Sequence, residues 1–130
     1  MIYIDKKLYN ELININEDEQ CGFVSGKDNI LRKIYKVNNK SKSPHKFRMG
    51  FFSKLRALTK ILFSLNNLIV IYHVHRSKDF FSYEDIENII VNMMYLIICN
   101  GKLNFYFINI NNGIMYIDNV KYKIYNRKKK

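Results

Sequence analysis

The sequence predicts one α/β (α+β) domain built on a mixed β-sheet, and three observations predict it. The chain has 130 residues, about one domain's worth by the usual length relation. Its residues are 48% hydrophobic and 15% aromatic, enough for one sizeable core, which excludes disorder over most of the length. Apolar runs with strand spacing interleave with runs at helical spacing, and that alternation points to a mixed sheet packed by helices. The domain is assigned to residues 1–126, with a basic tail over 127–130.

Taken in chain order, residues 2–4 form a short strand. Leu8, Leu12 and Ile15 share one face of a first helix that ends near Asn16, and the acids Glu17, Asp18 and Glu19 follow. Residues 21–25 and 30–37 are two strands separated by Gly26, Lys27, Asp28 and Asn29, which reads as a hairpin with a glycine-containing turn. The single proline, Pro44, lies in a polar surface loop over 38–46. Phe52, Leu55, Leu58 and Leu62 line one face of an amphipathic helix over 51–63. Residues 68–75 are dense in β-branched and aromatic side chains, the composition of a buried central strand. Ser82 opens a helix that runs to about Asn92 and turns Ile86, Ile89 and Ile90 inward. Strands over 94–99, 103–110, 114–117 and 120–125 complete the chain, joined by tight turns at Asn100 with Gly101, at 111–113, and at Asp118 with Asn119.

The formal charge is +11 and the pI about 9.7. A nucleic-acid partner is possible on charge alone but is not favoured. Lys far outnumbers Arg and comes with abundant Ile and Asn, the residues that A/T-rich codons supply, whereas nucleic-acid surfaces are richer in clustered Arg. The tail reads as a solvated, frayed end. Two cysteines, Cys21 and Cys99, are too few for a disulfide scaffold and form no C-x-x-C motif, so a reducing compartment is expected. The first ten residues have no continuous apolar segment of the signal-peptide kind. The apolar stretches over 61–72 and 86–99 are interrupted by polar residues and are too short to span a bilayer. The expected location is the cytoplasm.

The chemistry centres on His73 and His75. Alternate strand residues point the same way, so both imidazoles face one side and can converge on one ion. Paired histidines on a strand are also commonly plain exposed polar residues. Further on, Ser82 and Asp85 fall in the first turn of a helix that follows the strand. There Ser-x-x-Asp also satisfies a capping box, although a carboxylate aimed at a metal is not free to cap. Two neutral imidazoles and one carboxylate leave a fourth tetrahedral position for water, the ligand count of a catalytic zinc. Water so held has its pKa lowered to roughly 7 and becomes a usable nucleophile.

His73-Val74-His75, then Ser82-x-x-Asp85, with Glu19-Gln20-Cys21-Gly22-Phe23-Val24-Ser25-Gly26 upstream, resembles the JAMM motif of the MPN-domain metallopeptidases. The stretch Asn38-Asn39-Lys40-Ser41-Lys42-Ser43-Pro44-His45-Lys46-Phe47-Arg48-Met49 is similar to the Asn-rich, Ser-Pro, Phe-Arg-Met segment of compact prokaryotic members. The resemblance covers residues 8–99. Arg76 stands where the family has proline, and the loop over 76–81 is one residue shorter than the pattern.

The resemblance implies a curved mixed sheet packed by helices and one zinc ion per chain, held by His73, His75 and Asp85. It implies Glu19 as the base that takes a proton from the metal-activated water, and Ser82 as a donor to the oxyanion, both in keeping with general acid–base and oxyanion logic. The implied reaction is hydrolysis of a peptide or isopeptide bond after the C-terminal glycine of a ubiquitin-like or sulfur-carrier protein. A non-catalytic MPN-type interaction module and a basic nucleic-acid-associated protein of the same superfamily are the alternatives. Other chemistry-bearing residues have plainer readings. Cys21 is a buried thiol in an apolar strand, Cys99 is core and His45 lies on the surface. Phe105, Tyr106 and Phe107 alternate between core and surface.

Overall fold

Eight strands and one helix account for nearly all of what the computed structural model describes, which is residues 1–15, 20–37, 68–75 and 92–126. In chain order they are β1 (Ile2–Asp5), α1 (Lys6–Ile13), β2 (Cys21–Lys27), β3 (Ile30–Val37), β4 (Leu68–His75), β5 (Met93–Cys99), β6 (Lys102–Asn111), β7 (Ile114–Val120) and β8 (Tyr122–Tyr125). The strands form one mixed sheet in the order β7-β6-β5-β4-β2-β3-β1-β8. Pairing is antiparallel for β2–β3, β2–β4, β5–β6 and β6–β7, and parallel for β4–β5, β1–β3 and β1–β8. The expected mixed sheet is therefore present, with β4 as a central strand. The helices expected over 51–63 and 82–92 and the loop expected over 38–46 fall outside the described residues, except Asn92.

Both faces of the sheet carry core. One cluster joins Ile2, Ile4, Val24, Leu31, Val70, Tyr72, Val74, Leu96, Ile98 and Phe105 with Leu8 and Leu12 of α1. The other, on the opposite face, gathers Phe23, Val37, Ile71, Tyr95, Ile97, Tyr106 and Ile108. Alternation along β4 explains the division, since Val70, Tyr72 and Val74 point one way and Ile71 the other. α1 has eight residues, no side-chain cap from Asp5 and no acidic residue in its first turn. A helix that short is not stable alone, so burial of Leu8 and Leu12, roughly 1.5–3 kcal/mol each, is what holds it.

Two turns differ from expectation. In the β2–β3 hairpin the left-handed residues are Asp28 (φ 56°) and Asn29 (φ 65°), the pair of positive φ angles that a two-residue hairpin turn needs. Gly26 lies within β2, at a register shift against β3, where a Cβ would overlap the backbone of Ile30. The glycine thus answers a close approach and not the turn. At the other end of the chain Asp118 and Asn119 do not turn at all. β7 runs through both, and Asp118 Oδ2 accepts a hydrogen bond of 2.9 Å from Asn109 Nδ2 on β6, so residues with turn chemistry are satisfied across the ladder. The turns at Asn100 with Gly101 and at Asn112 with Gly113 have the positive φ angles expected of them.

The break falls at Lys121, and it shapes the whole sheet. Val120 pairs with Phe105 near one end of the strand order, while Tyr122 pairs with Ile2 at the other. One residue lies between them, and Ile2 N donates to the Lys121 carbonyl at 3.1 Å. Two Cα atoms that far apart in sequence are at most about 7 Å apart, whereas the edges of a flat eight-stranded sheet would be separated by roughly 33 Å. The sheet is accordingly curled into a half-barrel, with α1 against the first of the two clusters.

Candidate functional site

His73 and His75 occupy the last turn of the pleat in β4, between antiparallel β2 and parallel β5. They are 0% and 7% exposed, so the plain reading of exposed polar residues does not apply. The two rings meet edge to face with centroids 4.3 Å apart and an interplanar angle of 71°, a contact that their two-residue spacing on one face of the strand permits. The neutral ring is the form of histidine that ligates a metal. Both lie at the carboxyl end of β4, which is parallel to β5 on one side and antiparallel to β2 on the other.

The start of β2 runs alongside this pair. Cys21 stands opposite His73, and Val74 N donates to the Gln20 carbonyl at 2.8 Å. Gln20 Nε2 donates to the Tyr72 hydroxyl at 2.9 Å. Gly22 stands opposite Tyr72, and a Cβ there would overlap the Tyr35 carbonyl oxygen and come within 2.9 Å of the Tyr72 ring. The absent side chain is what allows the tyrosine its position, and Tyr72 in turn holds Gln20. Sequence reasoning did not connect Gln20 with Tyr72. The Cys-Gly pair was the available signal, since a glycine inside an apolar strand marks a close approach.

On the other side Cys99 of β5 stands beside His75, and Ile97 beside His73. Cys21 and Cys99 are both buried, as expected of structural thiols, and Cys21 Sγ contacts the Val37 carbonyl oxygen at 3.6 Å. The two cysteines are far apart in sequence, and their place flanking the histidines follows from register alone. Phe105 and Tyr106 are both buried, one in each cluster, and Phe107 is half-buried. The expected division of these aromatics between core and surface is thus replaced by core on both faces, because β6 lies inside the sheet.

Glu19, Ser82 and Asp85 lie outside the described residues, as do His45 and the tail. Among the described residues no group of three His, Cys, Asp or Glu side chains gathers to hold a metal ion. The described part of the site thus fits two imidazole donors. Ser82 and Asp85 belong to the connection that leaves β4 directly after His75 and returns to β5, and parallel neighbours such as these two strands need a crossover of a dozen or more residues. Among the described residues no helix is long and apolar enough to cross a membrane.

No family model matches the chain, and no curated protein does. Among solved structures, the chain is similar to the solution structure of protein DSY2949 from Desulfitobacterium hafniense, with a TM-score of 0.66 and 20% identity over 99% of this chain and 94% of that one. It is also similar to the solution structure of a protein from Salinibacter ruber, with a TM-score of 0.57 and 15% identity over 90% of this chain and 88% of that one. At these identities the likeness shows a shared fold along almost the whole of each chain.

Proposed function

We propose that the chain is a zinc-dependent peptidase or isopeptidase of the JAMM type, which cuts after the C-terminal glycine of a ubiquitin-like or sulfur-carrier protein. The observation that carries this reading is the pair of buried imidazoles, His73 and His75, side by side at the carboxyl end of a central strand. These two side chains and Asp85 would hold one zinc ion. Zinc, when bound, supplies a Lewis acid that brings the pKa of water to roughly 7. Glu19 is one peptide bond from Gln20, whose carbonyl is hydrogen-bonded to the residue between the two histidines. That adjacency supports Glu19 as the group that accepts a proton from the attacking water and returns it to the leaving amine. Ser82 donates a hydrogen bond to the oxyanion as the scissile carbonyl becomes tetrahedral. The same reading includes helices over 51–63 and 82–92 packed on an MPN-like sheet, and a cytoplasmic location.

The deciding experiment is elemental analysis of the purified protein together with cleavage of glycine-ended ubiquitin-like fusions. Stoichiometric zinc and cleavage are expected. Protein that lacks zinc and leaves every fusion intact would overturn the peptidase reading.

One observation favours a second reading, a nucleic-acid-associated protein. Tyr3 and Tyr125 are 38% and 36% exposed on adjacent strands, Lys123 stands beside Tyr3, and the Arg32 guanidinium lies 5.8 Å from the centroid of the Tyr125 ring. Exposed aromatics among cations suit stacked bases. Oligonucleotide binding that weakens steeply with salt would support it.

A further inference from the structure

We propose that the outer edge of β7 is a self-pairing surface, on which two copies of the chain join strand to strand about a two-fold axis. β7 is seven residues long and lies at the end of the strand order, with β6 as its one neighbour among the described residues. Its outer backbone donors and acceptors therefore form a template for another strand. The first three side chains along that edge are apolar and exposed. Ile114 is 57% exposed and Tyr116 44% on one face, Met115 36% on the other, and Ile110 at the end of β6 53%. Apolar groups on both faces of an open edge would be covered together by one added strand.

The two edges of this sheet are treated differently. β8 carries Lys123, follows Lys121 and precedes the basic residues 127–130, which is the usual protection of an edge by lysine. β7 has neither Lys nor Pro. Residues 103–120 contain no basic side chain at all, in a chain with 22 of them, and Asp118 is their one charge. This distribution identifies the occupant. Two copies at +11 repel each other, and of the two edge strands β7, which carries no cation, lets them approach with less repulsion than β8, which carries Lys123. An acidic partner would be drawn to the basic surfaces elsewhere. Self-pairing of the same edge is isologous, so it closes at the dimer.

A seven-residue strand pair is a small interface, so association in the micromolar range is expected. Its salt dependence should be opposite to that of nucleic-acid binding. Screening weakens the repulsion between copies, and the dimer should tighten as salt rises. The test is sedimentation velocity of the full chain across concentration at low and high salt. Ile114→Lys and Tyr116→Lys are compared with Ile124→Lys, which alters an exposed apolar residue on the other edge strand. Circular dichroism verifies that each variant is folded, and hydrogen exchange follows the β7 amides. The expected result is a monomer–dimer equilibrium that the two β7 variants weaken by about tenfold or more. Ile124→Lys should leave it unchanged, and β7 amides should gain protection with concentration. A monomer at every concentration, open-ended oligomers, or equal weakening by Ile124→Lys would each overturn the proposal.

Discussion

The ring of Tyr122 lies 5.4 Å from that of Phe105, tilted by 56°, although Phe105 belongs to the second strand from one end of the sheet and Tyr122 to the strand at the other end. The pair spans the mouth of the curled sheet. It also marks where the chain crosses from edge to edge through Lys121, so the contact closing the fold is made by side chains and not by a ladder. Tyr122 sits here partly buried beside the cluster that holds Ile2, Leu8 and Leu12.

That position predicts a stability change in alkali. Burial, and then the neighbouring Tyr9, push the Tyr122 phenol above its ordinary value of 10.0. A group with its pKa raised in the folded state contributes stability that is complete below the unfolded value and is lost as pH rises through the folded one. Resistance of the parent to denaturant should therefore fall above pH 10.0, and that of Tyr122→Phe should fall less over the same range. Equal losses in the two proteins would remove Tyr122 from the account.

Gly22 and Gly113 should respond differently to the same added methyl group. At Gly22 the obstacle includes backbone, the Tyr35 carbonyl, which cannot swing aside as a flexible side chain can. Gly22→Ala is expected to cost roughly 3 kcal/mol or more, the range of a strained and overpacked core position. Gly113 has φ 77° and nothing within 4 Å of the position a Cβ would take, so Gly113→Ala should cost about 1 kcal/mol, for the left-handed backbone alone. Denaturant titration of the two variants measures the difference, and equal costs would contradict the packing argument.

Much of the sheet was legible because its signals are local. The span 68–75 is dense in β-branched and aromatic residues and became β4 at the same bounds, and Leu8 and Leu12 read as the buried face of α1. Gly26 and the Asp118-Asn119 pair misled for one reason. Turn chemistry is a local preference, and here strand pairing overrides it, through a close approach at Gly26 and through the Asn109 amide at Asp118. The destination of β8 was not legible. Nothing in its four residues says that it pairs in parallel with β1 and not with β7, since partner choice is a property of the curl. The site divides similarly. The two-residue spacing of His73 and His75 predicted their shared side, but register alone brings Cys21, Gln20 and Cys99 beside them.

If His75 is a zinc ligand, His75→Ala should purify with metal far below one zinc per chain while remaining folded, because removing one of three protein donors empties a site that needs all of them. Elemental analysis reads the metal directly, without recourse to activity. Unchanged stoichiometric zinc would rule His75 out.

Glu19→Gln separates binding from chemistry. The amide keeps nearly the shape of the carboxylate but does not accept a proton, so the variant should retain zinc while its cleavage of a glycine-ended fusion falls by about 100-fold or more. Wild-type cleavage rates would place the base elsewhere. Loss of zinc would make Glu19 a structural element of the metal site.

The origin of the charge can be tested at the tail. The last four residues carry four of the 22 basic side chains, so most of the positive field of the molecule comes from the rest of the chain. Deleting 127–130 should therefore leave zinc content and cleavage of a small uncharged peptide unchanged. An acidic protein substrate is still steered by the remaining positive charge, and its cleavage should slow as salt rises, with or without the tail. Steering acts on encounter, so the salt effect should appear in kcat/KM and leave kcat nearly constant. The contrary pattern would be tight binding of single-stranded or duplex nucleic acid at physiological salt that disappears with the tail. In that case the basic end would be an arm in its own right, and the nucleic-acid reading would displace the peptidase.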